Sequence, residues 1–174
     1  MYELIGCSTH YGVSNKGEGL TQCVQSLNRR LPDHPIREIP ERTLPEQGLA
    51  NLKYLNSVTA TCEDIAAEID AIKRSGNTPL FIGGDHSSAI GSVSGDAATE
   101  SRLGLLWIDA HSDINTDAST ITGNIHGMPV SALMGFGHES SVLFMANNQK
   151  FCRKMSFCSD CVTLIRLKLI LLSA

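Results

Sequence analysis

Strand and helix signals alternate along this chain of 174 residues, which predicts an α/β fold: a parallel sheet flanked by helices. Two further observations agree. The apolar runs at residues 80–82 and 105–108 each stop at a polar cluster, Gly83-Gly84-Asp85-His86 and Asp109-Ala110-His111-Ser112-Asp113. Short apolar runs bounded by turn residues read as buried strands. The carboxyl ends of parallel strands are where α/β proteins bind ligands.

In chain order, residues 3–6 read as a first strand. Residues 9–19 are polar and Gly-rich, a loop in which His10 is expected to be solvated. Leu20, Val24, Leu27 and Leu31 follow at helical spacing, and Pro32 stops them. Residues 36–39 form a short second strand before the loop marked by Pro40 and Pro45. The strongest helical signal covers 49–72: Leu52, Leu55, Val58, Cys62, Ile65, Ala66 and Ile69 recur in steps of three and four. Gly76-Asn77 ends it, and residues 78–83 are the strand that leads into His86. A small-residue helix over 87–98 places His86 near its N-terminus. Trp107 reads as a core residue of the next strand and His138 as a solvated one. Residues 129–134 begin another helix, with Pro129 in its first turn.

The second cluster carries metal-capable side chains at alternate positions: Asp109, His111 and Asp113. In an extended chain, alternate residues project to one face. Two carboxylates and an imidazole would converge there, a set suited to a divalent ion such as Mn²⁺ rather than to a thiolate-seeking one.

Composition narrows the class. Hydrophobic content of 42% and charged content of 18% describe one globular domain, and a net charge of −4 gives no footprint for nucleic acid. No stretch reaches the roughly 20 apolar residues that span a bilayer. Cys7, Cys23 and Cys62 have no framework spacing and no signal peptide precedes them, so a reducing, cytoplasmic setting is expected. The charge is uneven: residues 1–149 carry 9 Lys+Arg and 17 Asp+Glu, a net −8, whereas residues 150–174 carry 5 and 1, a net +4. That break predicts a domain over 1–149 and a separate tail over 150–174.

Three segments together carry a resemblance: Gly83-Gly84-Asp85-His86, Asp109-Ala110-His111-Ser112-Asp113-Ile114-Asn115 and Gly123-Asn124-Ile125-His126-Gly127-Met128-Pro129. In this order they closely resemble motifs of the arginase (ureohydrolase) family, over roughly residues 2–137. The resemblance implies a three-layer arginase-like fold, incomplete on its C-terminal side. It implies two Mn²⁺ ions that hydrolyse L-arginine to urea and L-ornithine. His86 would hold one metal, Asp109 would bridge both, His111 would hold the second and Asp113 would complete the first. Asp85 would be structural and orient its neighbours. His126 matches the family's mobile active-site His, which relays protons or polarises the substrate and binds no metal. Asn115, Thr122 and Asn124 fall where arginases grip the α-amino and α-carboxylate groups of the substrate. Ile114-Asn115 after Asp113 favours arginase over agmatinase.

The chain also departs from the pattern. The family's later Asp-x-Asp ligands have no counterpart, since Asp160 is the one carboxylate after Glu139. Four of six implied ligands are present, and the chain alone is expected to be inactive or nearly so. The tail, with Cys152, Cys158 and Cys161, is expected to be a splice or frameshift scar rather than a zinc site, which usually takes four ligands. The alternative functions are a non-catalytic isoform that associates with full-length arginase subunits, or another ureohydrolase such as agmatinase.

Overall fold

The computed structural model describes residues 1–99, 104–139, 155–156 and 167–172. Its centre is β1 (Tyr2–Cys7), paired in parallel with β2 (Arg37–Glu38) on one side and β3 (Thr78–Gly83) on the other. The β1–β3 ladder runs in full register from Tyr2 opposite Thr78 to Cys7 opposite Gly83, so both strands end at one level. Ile5 and Cys7 are fully buried and pack with Ile39, Phe81 and the helix residues Ile65, Ile69 and Ile72.

Those helix residues belong to α2 (Leu55–Arg74), which packs on α3 (Ser88–Thr99). Two glycines let the helices approach closely. A Cβ on Gly91 would meet the Cys62 carbonyl at 2.6 Å, and one on Gly95 would meet the Ala66 carbonyl at 2.4 Å. The short α1 (Cys23–Arg30) buries Val24 beside β1.

α2 starts six residues later than the periodicity of 49–72 predicts. Tyr54 is left-handed, with φ 58°, which breaks the helix pattern before Leu55. The orphan N–H groups of Asn56 and Ser57 are taken by the Glu46 carboxylate at 3.0 and 2.9 Å. Residues 49–54 instead form a turn whose Lys53 N–H donates to the Gly123 carbonyl at 2.9 Å. Gly123 is required there: φ is +72°, and a Cβ would meet the Ala50 carbonyl at 2.0 Å.

β4 (Leu105–Ile108) follows α3 but is not hydrogen-bonded into the parallel sheet. It pairs antiparallel with β6 (Leu167–Leu172), which also pairs with β5 (Met155–Ser156). Alternation of strand and helix signals specifies strands but not their ladder partners, so this arrangement departs from a single parallel sheet. After β4, residues 109–128 loop back to α4 (Pro129–Leu133). Ile125, Met128, Ala132 and Leu133 close one core with Leu55, Val58, Cys62 and Ile90. Among the described residues, no helix is long and apolar enough to cross a membrane. The expectations for the composition break near Lys150, for Asp160 and for Cys152, Cys158 and Cys161 lie outside the described residues.

Candidate metal centre

The level ends of β1 and β3 release two loops side by side. Gly84 lies so close to the first loop that a Cβ would meet the Thr9 carbonyl at 2.1 Å. Asp85 N–H donates to that carbonyl at 2.9 Å. Asp85 itself is 5% exposed, and the next residue, His86, emerges at the start of α3.

His86 meets the end of β4 there. Its Nδ1 lies 2.8 Å from Asp113 Oδ2 and 3.2 Å from Asp109 Oδ2. The imidazole stacks on Trp107 with ring centroids 4.4 Å apart and planes 17° from parallel. One ligand atom from each of His86, Asp109 and Asp113 falls within 4.8 Å of the others. The Asp113 carboxylate raises the His86 pKa above its ordinary value; burial opposes that shift, and the charges of Asp109 and Asp85 add to it.

His111 stands apart, with its side chain 85% exposed. Its Nδ1 is 3.5 Å from Asp109 Oδ1, the same oxygen that accepts the His111 backbone N–H at 2.7 Å. The expected alternation on one face is therefore not kept. Asp109 turns the chain by bonding two residues ahead, and Asp113 takes a left-handed φ of 51°. Asp113 reaches His86 by that turn, not by continued extension, and is 7% exposed.

The downstream residues form a second group. His126 Nδ1 lies 3.0 Å from the Gly12 carbonyl. Asn124 Oδ1 accepts from Ser14 Oγ at 2.7 Å. Thr122 is exposed, and its hydroxyl accepts the Asn124 N–H at 3.2 Å. Asn115 is exposed as well; its N–H donates to the Gly127 carbonyl at 3.1 Å, and its side chain meets Ser119. Gly12 and Ser14, in the 3-10 turn over Tyr11–Lys16, have no signal in the sequence beyond its small polar residues. His10 is not the solvated residue that the loop composition predicts. It is held by Glu41, which also accepts the backbone N–H groups of His10 and Tyr11 at 2.8 and 3.2 Å.

The His86 cluster fits a divalent cation on two grounds. Asp113 Oδ2 is fully buried and takes no aligned hydrogen bond, although His86 Nδ1 is near it. A buried carboxylate oxygen whose one close partner is the poorly aligned His86 imidazole is costly to keep charged, and a cation between the two relieves it. The donor set, one imidazole and two carboxylates, suits the harder transition metals. Beside the cluster an open cleft of about 300 Å³ reaches along α3 between Phe81, Gly84, His86 and Ser92.

A profile of the Arginase family matches residues 6–156. Arginase of Bacillus caldovelox is 48% identical over 108 residues, 62% of this chain and 36% of that enzyme. The crystal structure of arginase from Bacillus subtilis superimposes with a TM-score of 0.71 at 34% identity, over 88% of this chain and 53% of the other. Arginase of Entamoeba histolytica, solved with L-ornithine, gives a TM-score of 0.69 at 29% identity over 83% of this chain and 53% of the other. The chain thus spans little more than a third of the first curated relative's length and about half of each of these two structures.

Proposed function

Because the chain belongs to the arginase family, we propose that its metal centre is a manganese site serving hydrolysis of L-arginine to urea and L-ornithine. The observation that carries this reading is the convergence of His86, Asp109 and Asp113. They are the residues that the motif resemblance gives to the first of two ions. His111, assigned to the second ion, stands beside them on Asp109.

A bound divalent ion supplies Lewis acidity, which makes hydroxide available near neutral pH and polarises the guanidinium carbon for attack. The chain's own residues do the rest. Asp109 and Asp113 supply negative charge, and Trp107 fixes the plane of the His86 ring. His126, on the 3-10 turn Ile125–Gly127, handles protons. Asn115, Thr122 and Asn124 grip the α-amino and α-carboxylate groups, which favours arginine over agmatine.

Calorimetric titration of the purified chain with Mn²⁺, beside assays of urea release from L-arginine and from agmatine, tests the proposal. Saturable binding that is lost in Asp113→Ala is expected, with any turnover confined to arginine and weak for the chain alone. No saturable binding, or turnover of agmatine alone, overturns it.

A further inference from the structure

One chain of hydrogen bonds joins the metal-cluster loop to the His126 segment. Asp85 Oδ2 accepts the Gly12 N–H at 2.9 Å, and Asp85 Oδ1 accepts the Ser87 N–H at 2.8 Å. On the far side of the same residue, the Gly12 carbonyl faces His126 Nδ1 at 3.0 Å. A carbonyl oxygen only accepts, so Nδ1 must carry the hydrogen, and neutral His126 keeps its lone pair on Nε2. Nothing larger than glycine fits against the Asp85 carboxylate: a Cβ on Gly12 would meet Asp85 Oδ1 at 2.2 Å and Ser87 Oγ at 2.7 Å.

We propose that Asp85 is a positioning residue for His126, acting through the backbone of Gly12 to hold the imidazole in its Nδ1–H tautomer and leave Nε2 free to exchange a proton. Two rigid peptide units meet at the Gly12 Cα, so anchoring its N–H limits where its carbonyl points. The rest of the turn is also fixed. Glu41 holds the N–H groups of His10 and Tyr11, Val13 N–H donates to the His10 carbonyl at 3.2 Å, and Ser14 grips Asn124. Asp85 carries the negative charge and burial that such an anchor needs, since a charge-assisted bond to an N–H is stronger than a neutral one. The catalytic consequence rests on the arginase reading of His126; the tautomer does not.

The test is nitrogen-15 NMR on the labelled full chain, at a pH where His126 is neutral. A pyrrole-type resonance for Nδ1, a pyridine-type one for Nε2 and a protected Gly12 amide are expected. Asp85→Ala removes both acceptor oxygens, so neither N–H keeps its partner. It should speed Gly12 exchange about tenfold and move His126 toward the Nε2–H form. An Nε2–H tautomer in the unmodified chain, an unprotected Gly12 amide, or an Asp85→Ala protein unchanged in both readouts overturns the proposal. If that variant does not fold, the two readouts on the unmodified chain still decide. Turnover is not read, so loss of the arginase reading and loss of this one are separate results.

Discussion

The indole of Trp107 lies flat against the imidazole of His86, with centroids 4.4 Å apart. Trp107 is 5% exposed, packs on Val130, and is the chain's single tryptophan. A core side chain of β4 thus sets the ring plane of a residue that follows β3, although the two strands share no ladder.

That stacking makes a site probe. Trp107 emission should fall saturably as Mn²⁺, a paramagnetic quencher, binds at His86. The emission should stay flat over the same titration in Asp113→Ala. Equal quenching in both proteins would place the ion elsewhere.

The N-terminus of α2 is capped from ten residues away in sequence. Glu46 takes the Asn56 and Ser57 N–H groups, where the positive end of the helix dipole favours a carboxylate. Glu46→Ala should cost about 0.5–2 kcal/mol in urea unfolding, the range for a lost N-cap. Glu46→Gln, which keeps one acceptor oxygen, should cost less.

Gly95→Ala raises helix propensity by about 0.8–1 kcal/mol, yet it should still destabilise. The added methyl would come within 2.4 Å of the Ala66 carbonyl, and separating α2 from α3 should cost about 1–3 kcal/mol. A midpoint of urea unfolding equal to or above that of the unmodified chain would show that the helices yield freely.

The three described thiols should react unequally. Burial pushes Cys62 up to about 12, and its Sγ contacts the Ser87 carbonyl at 3.4 Å. Burial raises Cys7 as well. Thiolate, the reactive form, is formed only above a raised pKa, so both stay protonated at neutral pH. Alkylation at neutral pH followed by peptide mass mapping should modify the partly exposed Cys23 before Cys7 or Cys62. Denaturant should remove the difference.

Local patterns made the strands and helix faces legible. β3 and β4 carry the apolar runs at 80–82 and 105–108, and the inward face of α2 follows the periodicity of Ile65, Ile69 and Ile72. Features that depend on distant residues were not legible. The start of α2 is set by Glu46, whose role no window of the helix reveals. The partner of β4 is chosen by non-local hydrogen bonds. At the site, the motifs name His86, Asp109 and Asp113 as candidates and the structure brings them together, but strict alternation puts His111 on one face with Asp109 and Asp113. Asp109 bonds to its own chain two residues on, and that turn separates His111 from Asp113. The Gly12 carbonyl beside His126 depends on a fold-back across 114 residues that spacing rules cannot see.

The full register of β1 against β3 has a consequence for tolerance to change. Cys7 faces Gly83, and the Thr9 and Asp85 loops leave the sheet as neighbours one step later. The ladder works as a ruler for the site: the bonds from Asp85 to Thr9 and Gly12 exist because both strands end on the same mark. A single inserted or deleted residue in either strand would turn every side chain beyond it to the opposite face. Asp85 would then point away from Gly12, and Cys7 or Phe81 would turn away from Ile65, Ile69 and Ile72 of α2, so the site and the core beneath it share one register. Ile121, wholly exposed in the loop between Asn115 and Thr122, falls off that ruler, and a length change beside it meets no strand register.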